Sequence, residues 1–233
     1  MKNKIYEIYN QEIENIINDK NILAVFLVGS VKYKDLNLET SKINDIDIFV
    51  VSNQTENQIR IIKKIDELEF DINYFSENGV KYFINKKEYF FLKEMKNPEI
   101  IYDKKGIGLS IIDLCKYKYK EGPDKLSQEE KELLKSEIQL KIQSLKLKEE
   151  YENYEYEFLT NLYLKDIIVG YFTINNKWIP KDKKIIKELR EEDEELFNLV
   201  ENIQKYYEYQ DLLNVYNYVF ENIDITKSIK ITY

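Results

Sequence analysis

The sequence predicts an α/β domain followed by an all-α helical domain. Three observations support this fold class. Apolar runs of strand length alternate with amphipathic segments in the first third of the chain, and helical periodicity dominates the second half almost to its end. Between them, the sequence Glu121-Gly122-Pro123-Asp124 has the composition of a boundary. We therefore predict two domains, residues 1–122 and residues 123–233.

The elements of the first domain follow from the spacing of its apolar residues. Residues 3–19 have helical spacing, and Ile22–Val28 is a continuous apolar run that predicts a buried strand. Ile46–Val51 predicts a second strand, Gln54–Leu68 returns to helical spacing, and Glu69–Phe75 alternates as a third strand. The predicted order of helix, strand, strand, helix, strand is typical of a small α/β sheet.

The remaining elements are edge strands and helices. Ile100–Tyr102 and Leu109–Ile112 are the two predicted edge strands. The second domain is predicted to be a helical bundle, with helices over about 127–150, 153–173, 181–190 and 193–221.

The composition excludes several kinds of chemistry. Of the 233 residues, 43% are hydrophobic and 33% are charged, and there are only six glycines and three prolines, as expected for an ordered protein. The single cysteine, Cys115, excludes an intramolecular disulfide, and the absence of histidine excludes histidine ligands, triads and general bases. A metal would therefore be held by oxygen ligands, which favours Mg²⁺ or Mn²⁺.

Charge and hydropathy limit the partners. A net charge of -8 and a pI near 5.0 argue against nucleic acid as the main partner. The first ten residues lack the apolar core of a signal peptide, and no apolar run approaches the ~20 residues of a membrane span. We expect a cytoplasmic protein that does not insert into a membrane.

Two aspartates at the start of the second predicted strand are the clearest candidate site. On a strand, Asp45 and Asp47 project to the same face, with their Cα atoms about 6.5–7 Å apart, while Ile46 and Ile48 enter the opposite, buried face. Carboxylates placed in this way can converge on a pair of divalent ions, and two metals ~3.5–4 Å apart are the usual clamp for displacement at phosphorus.

The end of the first predicted strand offers the complementary half of a phosphate site. A glycine at position 29 lets the backbone approach a phosphate closely, and the Ser30 hydroxyl is an additional donor. Together with the aspartates, this dipeptide predicts a triphosphate held between backbone donors and metals.

These residues match a known signature. The sequence FLVGS followed by NDIDIFVV resembles the polymerase-beta-like nucleotidyltransferase superfamily, and GSVKYKDLNLETSKINDID is most similar to small bacterial enzymes that adenylylate antibiotics. The resemblance covers about residues 22–75. It implies a catalytic domain with a small mixed sheet. Here 14 residues separate Ser30 from Asp45, which we interpret as a loop insertion, and Lys34 stands where many relatives have glycine.

The resemblance also implies a third acid on the next strand, which binds a metal and takes the proton of the attacking hydroxyl. We favour Asp71 over Glu69 because an aspartate in mid-strand needs a local reason more than a glutamate at the strand entrance does. The predicted site therefore comprises catalytic and metal-binding residues Asp45, Asp47 and Asp71, and nucleotide-binding residues Gly29, Ser30 and Lys34.

By this resemblance, the expected activity is transfer of a nucleoside monophosphate, with AMP favoured, from Mg-bound ATP or another nucleoside triphosphate to a hydroxyl of a small molecule. An aminoglycoside-like or lincosamide-like antibiotic is the acceptor that the resemblance suggests. Two alternatives stay open: an antitoxin-like or inactive interaction protein with the same fold, and a protein adenylyltransferase. The sequence also leaves open whether the protein is a homodimer.

Overall fold

The computed structural model describes residues 4–34, 43–54 and 58–225. The chain forms two compact units, Met1–Glu121 and Gly122–Tyr233. The boundary between them falls within the sequence Glu121-Gly122-Pro123-Asp124. Each unit has its own cluster of buried apolar side chains.

The first unit is built on a mixed sheet of five strands with the order β3-β4-β2-β1-β5. Strands β2 and β4 are parallel, and the other neighbouring pairs are antiparallel. The elements in chain order are α1 (Lys4–Ile17), β1 (Ile22–Val28), a 3-10 helix (Val31–Tyr33), β2 (Asp45–Ser52), β3 (Ile59–Ile65), β4 (Leu68–Ser76), α2 (Glu77–Asn85), α3 (Tyr89–Met95), β5 (Glu99–Asp103) and α4 (Gly108–Glu121). The predicted α/β class and mixed sheet are confirmed.

The two faces of the sheet have different neighbours. Ile46 and Ile48 point to the face that forms a buried cluster with Ile13 of α1. The other face carries Phe49 at mid-strand, which lies 5.8 Å from Phe91 of α3, ring centroid to ring centroid. Helices therefore cover the middle of the sheet on both sides, while the beginning of β2 stays accessible, with Asp45 exposed.

The prediction of a helix over Gln54–Leu68 is wrong, because Ile59–Ile65 is strand β3. The isoleucines three residues apart suggested a helical face, but β3 is an edge strand on which both Ile61 and Ile62 are exposed. Exposure on both faces removes the alternation that identifies a half-buried strand. The abundance of β-branched residues was the better indicator.

One of the two predicted edge strands also differs from the structure. Leu109–Ile112 lies in helix α4, which starts where the Asp103 carboxylate accepts hydrogen bonds from the backbone N–H groups of Ile107 and Gly108 at 3.0 and 2.8 Å. Ile100–Tyr102 is a strand as predicted, within β5.

The second unit is helical, as predicted. It consists of α5 (Gln128–Ser144), a 3-10 helix (Lys148–Glu150), α6 (Asn153–Ile174), α7 (Asp182–Glu192), α8 (Glu194–Tyr206) and α9 (Tyr209–Phe220). The single helix predicted over residues 193–221 is two helices, because Tyr207 adopts a left-handed conformation with φ of 51°. Among the described helices, none combines the length and the apolar content needed to cross a membrane.

Candidate functional site

The end of β1 and the start of β2 place Gly29 against Asp47. Because these strands are antiparallel with Val28 opposite Asp47, the residue after Val28 lies beside the aspartate. Gly29 has a φ of 72°, and a Cβ atom added there would overlap Oδ2 of Asp47. Glycine is therefore required at this position for two reasons: the backbone conformation and the close approach of a carboxylate.

The parallel pairing of β2 with β4 brings the predicted acids to one face of the sheet. Asp45 is opposite Glu69, and Asp47 is opposite Asp71. Neighbouring strands lie about 4.8 Å apart, and residues in register project to the same side. We call these four residues the carboxylate face. Asp45 and Glu69 are exposed, while Asp47 and Asp71 are half-buried.

Arg60 of β3 lies among these carboxylates. It donates from Nε to Oδ1 of Asp71 at 2.9 Å and from Nη2 to Oδ2 at 2.7 Å, the bidentate geometry that planar guanidinium favours. The pKa of Arg60 is raised, first by its hydrogen bond to Asp71 and by the charge of that residue, and further by the charges of Asp47 and Glu69. The guanidinium therefore interacts with three of the four acids.

A further carboxylate reaches Gly29 from helix α3. The Gly29 backbone N–H donates to Oε2 of Glu94 at 3.1 Å. Gly29 is the residue at which the backbone was predicted to approach a phosphate. Neither Arg60 nor Glu94 was predicted, because Arg60 was placed in a helix and Glu94 is brought to Gly29 only by tertiary packing of α3.

Comparison with known proteins gives matches in structure but not in sequence. No protein-family model matches the sequence, and no curated protein matches it. Among solved structures, a nucleotidyltransferase-like protein from Exiguobacterium sibiricum 255-15 aligns with a TM-score of 0.52, covering 91% of this chain and 73% of that one at 9% sequence identity. The chain has a nucleotidyltransferase-like fold.

This nucleotidyltransferase-like fold carries the other predicted nucleotide-binding residues beside Gly29. Ser30 is exposed and precedes the 3-10 helix Val31–Tyr33. Lys34 is exposed at the end of that helix, where its backbone N–H donates to the carbonyl oxygen of Val31 at 2.8 Å. Most of the predicted loop insertion, residues 35–42, lies outside the described residues.

The fit of a divalent ion can be judged from the carboxylate face. In the described part of the chain, no group of three or more aspartate, glutamate or cysteine side chains is arranged to hold a metal. Mg²⁺ in nucleotide sites often takes only one or two carboxylates, because substrate phosphates and water complete its coordination. Asp45 and Asp47 provide that pair. Both oxygens of Asp71, the third predicted ligand, accept hydrogen bonds from Arg60 in this arrangement.

The cysteine of the first unit is excluded as a nucleophile. Cys115 of α4 is fully buried, and burial raises the pKa of its thiol to about 12. The reactive thiolate is therefore absent at neutral pH.

Proposed function

We propose that this protein is a nucleotidyltransferase that moves a nucleoside monophosphate, with AMP favoured, from a Mg²⁺-bound nucleoside triphosphate to a hydroxyl of a small molecule. The hydroxyl oxygen forms a bond to the α-phosphorus, and the bond from that phosphorus to the bridging oxygen of the β-phosphate breaks. Pyrophosphate leaves with the electron pair, and the hydroxyl proton passes to a base at the carboxylate face.

The observation that carries this proposal is the strand register. It puts Asp47 next to Asp71 on one face and, at the same time, against the backbone of Gly29. Carboxylates brought together beside a backbone turn are suited to hold a divalent cation, to which substrate phosphates can also bind.

The residues have separate roles in the proposed reaction. Asp45 and Asp47 would hold the divalent ion, which supplies charge neutralisation on the phosphates during phosphoryl-type transfer. The exposed side chains of Ser30 and Lys34 flank the 3-10 helix that follows β1, where they can contact the phosphates. An antibiotic as acceptor is supported by the resemblance of residues 29–47 to antibiotic-adenylylating enzymes.

Binding of nucleotide tests this function before any acceptor is known. Mg²⁺-ATP should stabilise the protein in a thermal-shift experiment, by about 2.7 kcal/mol at a ligand concentration one hundred times the Kd. ATP with EDTA should stabilise it much less. Asp45→Asn and Asp47→Asn should lose most of the Mg²⁺-dependent shift because each removes a negatively charged oxygen ligand.

The matched control for these variants is Asp113→Asn. Asp113 is an exposed acid on α4, with 76% of its side chain accessible, and its only role in the first unit that we expect is the helical pair with Lys116. Equal stabilisation by ATP with and without Mg²⁺, or a full Mg²⁺-dependent shift in both aspartate variants, would contradict the proposal.

A second candidate is an inactive interaction protein with this fold. Two groups that a substrate or metal would use, Asp71 and the Gly29 N–H, already have protein partners in Arg60 and Glu94. In addition, edge strand β3 exposes isoleucines at positions 59, 61 and 62, which is typical of a sheet edge that adds a partner strand. Absence of any nucleotide-induced shift would favour this candidate.

A further inference from the structure

Arg60 is of a residue type that is rare in this chain, and it lies next to the acids of the carboxylate face. The chain has 35 basic residues, but Arg60 and Arg190 are its only arginines. Guanidinium differs from ammonium in presenting five N–H donors in a fixed fork that matches carboxylate and phosphate oxygens. The hydrogen bonds to Asp71 use two of these donors. Among the hydrogen bonds of the described residues, three N–H groups of Arg60 are left for an acceptor outside this pair.

Two consecutive hydrogen bonds, from Gln58 to Asn73 and from Asn73 to Asp71, orient the Asp71 carboxylate. Nδ2 of Asn73 donates to Oδ1 of Asp71 at 3.1 Å, and Nε2 of Gln58 donates to Oδ1 of Asn73 at 2.9 Å. Asn73 is buried, with 8% of its surface accessible. The Asp71 side chain is 21% accessible and that of Arg60 is 58% accessible. A fixed carboxylate thus holds an accessible guanidinium.

A positive charge at the position of the Arg60 guanidinium would favour binding of a polyanion to the carboxylate face. The carboxylate face carries four acids, and a nucleoside triphosphate would be repelled by their combined charge. Arg60 lies among them, close enough to Asp47 and Glu69 for both to affect its ionisation. Arg60 is therefore a cation of this face that two hydrogen bonds to Asp71 hold in place.

We propose that Arg60 binds the phosphate groups of the nucleoside triphosphate and that Asp71 is the positioning residue that orients it. This inference rests on the proposed function and deepens it. The divalent ion is then held by Asp45 and Asp47 alone, and the proton of the acceptor hydroxyl goes to a carboxylate other than Asp71.

The experiment measures the affinity of the full chain for ATP, ADP and AMP by titration calorimetry, once with Mg²⁺ and once with EDTA. Arg60→Gln should weaken ATP binding about tenfold or more in both conditions and should weaken AMP binding less, because AMP has a single phosphate. Arg60→Lys should give an intermediate loss, since it keeps the charge without the fork. Glutamine keeps a hydrogen-bond donor for Asp71, and circular dichroism reports whether each variant is folded.

Asp71 is tested by a double-mutant cycle. Asp71→Asn should weaken ATP binding by about the same factor as Arg60→Gln, and the double variant should be no weaker than either single one, because both changes remove the same positioned cation. The control is a lysine away from the carboxylate face, Lys4. Lys4 belongs to α1, which packs on the opposite face of the sheet, and pairs with the exposed Asp66, so the variant Lys4→Gln should not change affinity.

Three results separate the inference from the proposed function. Wild-type protein that binds Mg²⁺-ATP while Arg60→Gln binds it equally well overturns the role of Arg60 and leaves the proposed function standing. An Asp71→Asn variant that needs more Mg²⁺, with the Mg²⁺ requirement of Arg60→Gln unchanged, makes Asp71 a metal ligand and also overturns the inference. Wild-type protein that binds no nucleotide in either condition refutes the proposed function itself.

Discussion

At the scale of single residues, the contact between Gly29 and Asp47 decides whether the carboxylate face can form. The φ of 72° at Gly29 disfavours any residue with a Cβ atom, by roughly 1–3 kcal/mol. In addition, that Cβ would collide with the Asp47 carboxylate. The glycine therefore contributes both to the stability of the first unit and to the position of one proposed metal ligand.

Gly29→Ala tests this double role, and Gly106→Ala separates its two parts. Gly106 also has a positive φ, 70°, but a Cβ added there meets no atom within 4 Å. Gly106→Ala should lower the free energy of unfolding by about 1–2 kcal/mol through backbone strain alone. Gly29→Ala should lower it by more, because Asp47 must also move. Urea unfolding of both variants gives the comparison.

Equal losses in the two glycine variants would show that Asp47 moves aside without cost. In that case Gly29 does not hold the Asp47 carboxylate in place, and this side chain of the candidate metal site is more mobile than the packing indicates.

Residues that act through local sequence could be predicted, and residues that act through tertiary contacts could not. Asp45 and Asp47 were found because alternation along one strand needs no knowledge of the fold. Asp71 was proposed because the family resemblance implies a third acid on the next strand, which alternation identified in the sequence. Arg60 was missed because its strand was interpreted as a helix, so that its approach to Asp71 had no basis in the sequence pattern.

At the scale of elements, helix α3 determines which group accepts the hydrogen bond from the backbone N–H of Gly29, directly after β1. The helix has only seven residues, but its side chains Phe91, Leu92 and Met95 are buried. Their burial fixes the orientation of the helix about its own axis. Glu94 consequently faces β1 and accepts from the Gly29 N–H. A triphosphate that enters this site meets the negative charge of Glu94.

Glu94→Gln should therefore tighten ATP binding, by roughly fivefold, which corresponds to about 1 kcal/mol. Glutamine keeps a carbonyl oxygen that can accept from Gly29, so the fold should be preserved while the charge is removed. Titration calorimetry measures the affinity. Glu67→Gln is the control because Glu67 lies in the turn between β3 and β4, where its side chain is 97% exposed and pairs with Lys64.

Weaker ATP binding in Glu94→Gln would contradict this expectation. It would mean that the Glu94 charge supports the site, for example by holding a cation that in turn contacts the phosphates.

The helix boundaries of the second unit show the same division between local and tertiary information. Helix α5 begins at a capping box, in which Ser127 and Glu130 satisfy each other's backbone N–H groups at 3.2 and 2.7 Å. Such a start is visible in the sequence. The break between α8 and α9 has no glycine or proline and depends on the left-handed Tyr207, so periodicity alone joined the two helices.

At the scale of the whole molecule, the residues of the proposed nucleotide site are all in the first unit. Asp45, Asp47, Arg60 and Asp71 come from strands that are joined to one another in a single sheet, and Gly29 follows β1 of the same sheet. The buried cluster of this unit is formed by its own strands and α1. Nucleotide binding should therefore not depend on residues 123–233.

A fragment of residues 1–122 tests this expectation. It should fold cooperatively, as judged by circular dichroism, and should bind Mg²⁺-ATP within about threefold of the affinity of the full chain, a difference of roughly 0.7 kcal/mol. A fragment of residues 1–98 is the control. It lacks β5 (Glu99–Asp103), which pairs with the fully buried strand β1, so it should fail to fold. If the fragment of residues 1–122 is folded but binds no nucleotide that the full chain binds, residues beyond 122 must supply part of the site, and the assignment of the nucleotide to the carboxylate face alone is wrong.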